Sequence, residues 1–94
     1  MNQLSDYHRE RVQAVLAASP LVPVIAIKDP DDAIPLCRAL VDGGIRVLEI
    51  TLRTEHGVRA IEKVRKAIPE AWVGAGTVTS IAQYRQVESA GAQF

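Results

Sequence analysis

The stretch Arg46-Val47-Leu48-Glu49-Ile50-Thr51-Leu52-Arg53 decides the fold of this chain. Alternate residues of a β-strand point to opposite sides. One side of this predicted strand is apolar and carries Leu48, Ile50 and Leu52. The other side is mostly polar and carries Val47, Glu49, Thr51 and Arg53. Strands of an all-parallel sheet are covered on both faces and are usually apolar throughout, so these polar groups indicate a site inside a barrel.

The same strand-and-helix unit occurs on both sides of this stretch. Apolar runs predict strands over 21–27, 46–52 and 71–76, although Pro23 is unfavourable inside a strand because it cannot donate to the ladder. Apolar stripes and end signals predict helices over 4–18, 33–41, 55–67 and 81–89. Strands that alternate with helices at about 25 residues per unit are typical of parallel βα architecture.

Open doubly wound sheets share this rhythm, but the polar side of the strand at 46–53 favours a closed (β/α)8 TIM barrel. The α/β chain would then comprise an N-terminal helix within 1–19 and three βα units within 20–94. Ser89–Phe94 aligns with the earlier junction Asp42–Val47, which predicts that Phe94 begins a fourth strand. We therefore expect residues 1–94 to be the N-terminal part of a single barrel domain in a longer protein.

Composition excludes several functional classes. Eleven basic and eleven acidic residues cancel to a net charge of zero without a basic stripe, so nucleic acid is not an expected partner. The longest apolar strand run is too short to span a bilayer, and no basic amphipathic helix indicates a membrane surface. A lone cysteine, Cys37, allows no internal disulfide and suits a reducing cytoplasm. No histidine or cysteine spacing predicts a metal site, and no cofactor is expected.

Glu49 and Arg53 are the first candidates for chemistry. Burial of the Glu49 carboxylate would raise its pKa toward the range useful for general acid–base catalysis. The alternative is a structural ion pair with Arg46, Arg53 or Lys28, and the sequence leaves both readings open. Arg53 lies about 13 Å further along the same side and could bind a carboxylate in bidentate fashion. Its alternative is a solvated arginine in a loop.

Two more residues lie at predicted strand ends. Thr77 follows Val73-Gly74-Ala75-Gly76 and could donate to an anion or cap the next helix. Alternation places Thr77 with Val73 and Ala75, which we take as the inner side. Lys28 ends the first strand and is a weaker candidate for binding an anionic substrate, because the pattern favours a solvated strand-end lysine.

From about Pro20 to Phe94, the chain resembles the bacterial 2-keto-3-deoxy-6-phosphogluconate (KDPG) and 4-hydroxy-2-oxoglutarate (KHG) aldolases. The resemblance is carried by several motifs together, which are Val22-Pro23-Val24-Ile25, Ala39-Leu40-Val41-Asp42-Gly43-Gly44, Arg46 to Thr54, Pro69-Glu70-Ala71, Val73-Gly74-Ala75-Gly76-Thr77-Val78 and Ala90-Gly91-Ala92-Gln93-Phe94.

The resemblance implies a trimeric (β/α)8 barrel and a class I aldolase that uses a Schiff-base lysine and no metal. Such an enzyme releases pyruvate from a phosphorylated keto sugar acid in the Entner–Doudoroff pathway of carbohydrate metabolism, or from 4-hydroxy-2-oxoglutarate. By motif, Glu49 would be the general acid–base, working through a water, and Arg53 and Thr77 would hold the pyruvate carboxylate.

The same resemblance places the Schiff-base lysine on the sixth strand, which these 94 residues do not reach. None of Lys28, Lys63 and Lys66 matches its motif, so we expect the 94 residues alone to be inactive. Two other readings stay open at this point. The chain could belong to another phosphosugar barrel, an isomerase or epimerase, or it could be a non-catalytic truncated product that acts only by assembly.

Overall fold

The computed structural model describes residues 5–94, which form four helices and three strands. In chain order the elements are α1 (Asp6–Ala18), β1 (Val24–Ile25), a 3-10 turn (Pro30–Asp32), α2 (Ala33–Asp42), β2 (Val47–Thr51), α3 (Gly57–Ala67), β3 (Trp72–Gly76) and α4 (Ile81–Ala90). The predicted alternation of strands and helices is therefore confirmed. Leu4, the first residue of the predicted N-terminal helix, lies outside the described residues.

The three strands form one parallel sheet in the order β1-β2-β3, as the αβ rhythm predicts. Val24 lies beside Glu49, and Glu49 lies beside Gly74. Beyond β3, the Gln93 amide donates to the Val73 carbonyl over 2.7 Å, and the Ala75 amide donates to the Phe94 carbonyl over 2.9 Å. The chain at Gln93–Phe94 thus pairs with β3 where the start of a fourth strand was predicted.

The first strand is much shorter than the predicted 21–27, because only Val24–Ile25 has strand geometry. Pro23 has no N–H to donate, but its carbonyl accepts a hydrogen bond from the Glu49 amide over 3.1 Å. Among the described strands, β1 is at the edge of the sheet, which is where a proline is tolerated.

The predicted helix ends are mostly confirmed. The Asp29 carboxylate accepts from the Asp31 amide over 3.0 Å at the start of the turn before α2. Gly44 and Gly91 have φ of 102° and 101°, so the chain leaves α2 and α4 through left-handed residues. Ser80 caps α4 by accepting from the Gln83 amide over 3.1 Å. The spacing of Ser80 and Gln83 in the sequence predicts a capping box, which is incomplete in the structure because the Gln83 side chain accepts from Thr79 instead of Ser80.

The apolar core lies on the side of the sheet that faces the helices. Leu48, Ile50 and Val73 are fully buried there. They pack in one cluster with residues of α2, α3 and α4, among them Cys37 and Ile61. Helix α3 packs against β2 and β3 and lies between α2 and α4. This cluster holds one side of the sheet against the helices. The side chains on the other side of each strand therefore point away from the helices.

Candidate functional site

The candidate site is the side of the sheet opposite the core, near the carboxyl ends of the strands. Residues whose Cα atoms are paired in neighbouring parallel strands have their side chains on the same side of the sheet. The register therefore groups Glu49 with Val24 and Gly74, and Thr51 with Gly76. Val24 is 54% exposed, so this inner side is open around β1. The predicted separation of an apolar and a polar side of β2 is confirmed.

Glu49 reaches across this inner side toward β3. Its carboxylate lies against the backbone of Gly76, so close that a β-carbon on Gly76 would lie 2.9 Å from Cδ of Glu49. The side chain is half-buried, so the burial expected for the carboxylate is partial, and the side of the sheet around Val24 is open to solvent. Within residues 5–94, the ion pairs involve only Arg38, Asp42, Glu55, His56 and Glu70. The alternative of a structural ion pair for Glu49 is therefore not supported.

Thr51 is buried on the inner side, and its hydroxyl donates to the Ile25 carbonyl over 3.1 Å. Just beyond β2, the Thr54 hydroxyl donates to the Ile27 carbonyl over 2.6 Å and accepts from the His56 amide over 3.2 Å. The ladder between β1 and β2 is short, because β1 has only two residues. Hydrogen bonds from two threonine side chains therefore add to the contact between β2 and the carboxyl end of β1. The sequence signal that could have found them is Pro23, which predicts a weakened ladder in need of other hydrogen bonds.

Arg53 lies two residues beyond the end of β2, so the predicted strand that reached Arg53 is too long. The last ladder bond on this side runs from the Leu52 amide to the Gly76 carbonyl over 2.9 Å. After Leu52 the chain turns toward α3, and strand alternation no longer decides where Arg53 points. Its side chain is exposed at the carboxyl end of β2 and takes part in no ion pair with residues 5–94.

Thr77 follows β3 directly and has a φ of 57°, which is rare for a β-branched residue. The prediction that strand alternation places Thr77 on the inner side with Val73 and Ala75 is wrong, because the register groups Val73 with Leu48 and Ala75 with Ile50 on the core side. The left-handed backbone at Thr77 breaks the strand alternation at this residue. Strained residues of this kind cluster at functional sites, a signal that the sequence does not contain.

Lys28 is exposed in the bend after β1, three residues past Ile25. Lys63 and Lys66 belong to α3, on the core side of the sheet, and Lys66 is exposed. Lys63 and Lys66 therefore lie on the side of the sheet opposite the Glu49 carboxylate, whereas Lys28 lies beyond the carboxyl end of β1. Strand alternation would have grouped Lys28 with Val24, but β1 ends too early for that argument to apply.

Cys37 is fully buried in the core, and burial raises the pKa of its thiol to about 11. The thiolate is the reactive form of cysteine, so Cys37 has the character of a core residue. In the part of the chain from Ser5 onward, no group of three or more histidine, cysteine or acidic side chains is arranged to hold a metal ion. None of the helices in that part is both long enough and apolar enough to cross a membrane.

A cavity of about 640 Å³ lies between α1, α4 and the end of the chain, and Tyr84, Arg65 and Phe94 are among its lining residues. Neither Glu49 nor Arg53 lines it. The candidate site is therefore an open face at the ends of β2 and β3. A parallel βα sheet with an acidic side chain on the side opposite its helices is consistent with part of an α/β barrel, in which sites occupy the carboxyl ends of the strands.

Comparison with known proteins identifies the family within this class. Residues 12–94 match the family described as KDPG and KHG aldolase. The KHG/KDPG aldolase of Escherichia coli K12 is 52% identical over 82 residues, which cover 87% of this chain and 38% of that protein. The chain belongs to the KDPG and KHG aldolase family, and it spans about two fifths of the length of the curated relatives it matches.

Solved structures agree with this assignment. The KDPG aldolase of Legionella pneumophila, captured with pyruvate as a covalent carbinolamine intermediate, superposes with a TM-score of 0.81 at 45% identity, over 94% of this chain and 40% of that one. The KDPG aldolase of Zymomonas mobilis ZM4 with 3-phosphoglycerate gives 0.82 at 43% identity, over 88% of this chain and 39% of that one. The described residues are thus part of an aldolase-type TIM barrel.

Proposed function

We propose that this chain supplies the acid–base part of a class I aldolase site. The reaction is the cleavage of 2-dehydro-3-deoxy-6-phosphogluconate to pyruvate and glyceraldehyde 3-phosphate, of 4-hydroxy-2-oxoglutarate to pyruvate and glyoxylate, or of both. The observation that carries the proposal is the Glu49 carboxylate, which lies over Gly76 on the open inner side of the sheet. Membership of the aldolase family supports this reaction over that of a phosphosugar isomerase or epimerase.

The proposed chemistry begins when a neutral lysine amine attacks the keto carbon of the substrate and forms a carbinolamine. Loss of water gives a Schiff base, which withdraws electrons from the carbon–carbon bond as that bond breaks. Glu49, through a water, takes the proton from the substrate hydroxyl during cleavage and returns a proton to the pyruvate carbon afterwards. Hydrolysis of the resulting Schiff base then breaks the carbon–nitrogen bond, which releases pyruvate and restores the lysine amine. The carbinolamine captured with pyruvate in the Legionella pneumophila relative supports this course.

Arg53 and Thr77 are proposed to hold the carboxylate of the keto acid. The exposed guanidinium of Arg53 is at the carboxyl end of β2 and has no acidic partner among residues 5–94. A guanidinium binds a carboxylate through two parallel hydrogen bonds, and the Thr77 hydroxyl can donate a third. Lys28 is a weaker candidate for a further anionic group of the substrate, because it is exposed beyond the end of β1.

The amine is proposed to come from outside residues 1–94. Lys63 and Lys66 are on α3, on the core side of the sheet, and Lys28 is in an exposed bend after β1. A Schiff-base lysine must sit in a desolvated or cationic setting close to the bound keto acid, and none of the three matches the motif of the aldolase lysine. The 94 residues by themselves are therefore proposed to be inactive.

The setting of the whole protein is also part of the proposal. The resemblance to the aldolases supports a homotrimer that acts on a small keto acid without a metal or organic cofactor, in the Entner–Doudoroff pathway. The free, buried Cys37 supports a reducing compartment such as the cytoplasm. The absence of a basic stripe in the sequence supports a protein that does not bind nucleic acid.

Trapping with labelled pyruvate and sodium borohydride tests the proposal, because borohydride reduces a Schiff base to a stable amine. The natural protein that carries this chain should take up label and release pyruvate from one of the two substrates, whereas residues 1–94 expressed alone should remain unlabelled. Peptide mapping should find the label outside residues 1–94. A labelled peptide that contains Lys28, Lys63 or Lys66 would overturn the proposed source of the amine.

A further inference from the structure

Strand β3 carries two glycines on the inner side of the sheet, and they have different neighbours. A β-carbon on Gly76 would lie 2.9 Å from Cδ and 3.2 Å from Cγ of Glu49, and closer still to Oε2. A β-carbon on Gly74 would lie 2.5–2.6 Å from three carbons of the Phe94 ring. Real β-carbons essentially never come within 3.0 Å of a heavy atom outside their own residue and its chain neighbours, so each glycine leaves room for one particular side chain.

The space above Gly76 is occupied by the carboxylate itself. Glu49 and Gly76 lie on adjacent strands, with Glu49 paired to Gly74 and Gly76 paired to Thr51, so the side chain of Glu49 leans toward the carboxyl end of β3. That direction brings its carboxylate toward Thr77, which is the next residue after Gly76. Any larger residue at position 76 would occupy the same volume.

We propose that Gly76 is a positioning residue, whose missing side chain lets the Glu49 carboxylate rest on the β3 backbone in its acid–base position. The inference rests on the proposed role of Glu49. A methyl group at position 76 would displace the carboxylate from the β3 backbone. Proton transfer depends steeply on the distance between donor and acceptor, and a misplacement of about 1 Å can lower a rate about a hundredfold.

The first test is kinetic and uses the natural protein that carries this chain. Gly76→Ala should lower kcat for pyruvate release about ten- to a hundredfold and change KM by no more than about twofold, because Arg53 and Thr77 are retained. In a Glu49→Asp background, whose carboxylate is one methylene shorter, the same alanine should lower kcat by a much smaller factor. An equal factor in both backgrounds would overturn the inference.

The second test measures thermal unfolding and needs no activity. Gly76→Ala should lower Tm by about 2–4 °C in the unmodified protein and should leave Tm unchanged or raised in a Glu49→Ala background, where the space is free. Gly74→Ala is the matched control: it meets the Phe94 ring, so Glu49→Ala should not relieve its effect. If Glu49→Ala relieves both alanines equally, or neither, Gly76 has no specific relation to the carboxylate.

The two tests separate this inference from the proposed function. If the unmodified protein releases no pyruvate from either substrate, the aldolase proposal fails. The proposed role of Gly76 in positioning Glu49 for catalysis then fails as well, whatever the unfolding measurements show. If the unmodified protein is active but Gly76→Ala retains its full kcat, the aldolase proposal stands and the positioning role of Gly76 is wrong.

Discussion

The two sides of the three-stranded sheet differ in their side chains and, around Val24 and Glu49, in their exposure. On the side that faces the helices, Leu48, Ile50 and Val73 are fully buried in one apolar cluster. On the inner side, Val24 is 54% exposed and Glu49 is half-buried. One strand, β2, contributes to both sides through the alternation of its residues.

This difference separates what holds the sheet together from what is available for chemistry. Burial of apolar side chains against α3 stabilises the sheet at about 25 cal/mol per Å² of apolar surface. The inner side keeps a carboxylate and two small residues, Gly74 and Gly76, which leave room for neighbouring side chains. Substitutions on the two sides should therefore affect different measurements, and the following four predictions rank from the largest expected effect to the smallest.

Glu49→Gln should have the largest effect, and only on activity. The amide has the same shape but cannot accept and return a proton, so kcat for pyruvate release should fall about 10²- to 10⁴-fold. Steady-state kinetics of the natural protein measures this, and circular dichroism should find the fold unchanged. A kcat within about threefold of the unmodified value would remove Glu49 from the acid–base role, since a general acid–base contributes far more than that.

The same substitution on opposite sides tests the comparison by stability. Val73→Ala on the core side should lower the free energy of unfolding by about 2–3 kcal/mol, because it leaves a cavity in a close-packed cluster. Val24→Ala on the exposed inner side should cost less than about 1 kcal/mol. Urea unfolding of both variants measures the contrast. Equal losses would mean that the inner side is as well packed as the core.

Thr77→Gly should separate stability from binding. The left-handed backbone at φ 57° costs an L-residue about 1–2 kcal/mol, and glycine removes this cost. Glycine also has greater freedom in the unfolded chain, which lowers the stability of the folded protein by about 0.5–1 kcal/mol. The net gain should be about 0.5–1 kcal/mol.

The control for that variant is Thr77→Ala, which retains the left-handed strain but also lacks the hydroxyl. Both variants should raise KM about three- to tenfold by losing one hydrogen bond, whereas only the glycine should raise Tm. A KM unchanged in both would remove Thr77 from the proposed carboxylate site.

The smallest effect is expected far from the inner side, at the ion pair between Arg38 of α2 and Glu70, whose Nη1 and Oε2 atoms are 2.9 Å apart. Hydrogen bonding to Arg38 lowers the pKa of Glu70 below its ordinary 4.5. Because the folded-state pKa is depressed, the pair stabilises the fold at pH values above the ordinary pKa of Glu70. That contribution to stability is lost as the pH falls through the folded-state pKa.

Thermal unfolding from pH 7 to pH 3 should therefore find a small Tm difference between the unmodified protein and Glu70→Gln that disappears at the acid end. Both side chains are exposed, so the difference should also shrink in 1 M salt. A difference that grows toward low pH would contradict the assigned direction of the pKa shift.

The sequence predicted the order and type of the elements well, because apolar periodicity and end signals are local. Gly44 and Gly91, which follow α2 and α4, and Ser80, which caps α4, are end signals of this local kind. Strand lengths were predicted less well, since strand ends depend on partners elsewhere in the chain. Arg53 lies outside β2 because the chain turns toward α3 after Leu52, and no local signal marks that turn.

The sequence by itself determined the alternation of β2, and hence that Glu49 lies opposite the core, because the period of a strand is two whatever surrounds it. Only the tertiary structure decided that Thr77 does not continue the side-chain alternation of β3, and that the Glu49 carboxylate rests on Gly76. The contact between Glu49 and Gly76 depends on the pairing of β2 with β3, which joins residues about 25 positions apart in parallel register. Local sequence cannot specify such a contact, because it arises only when distant strands are packed side by side.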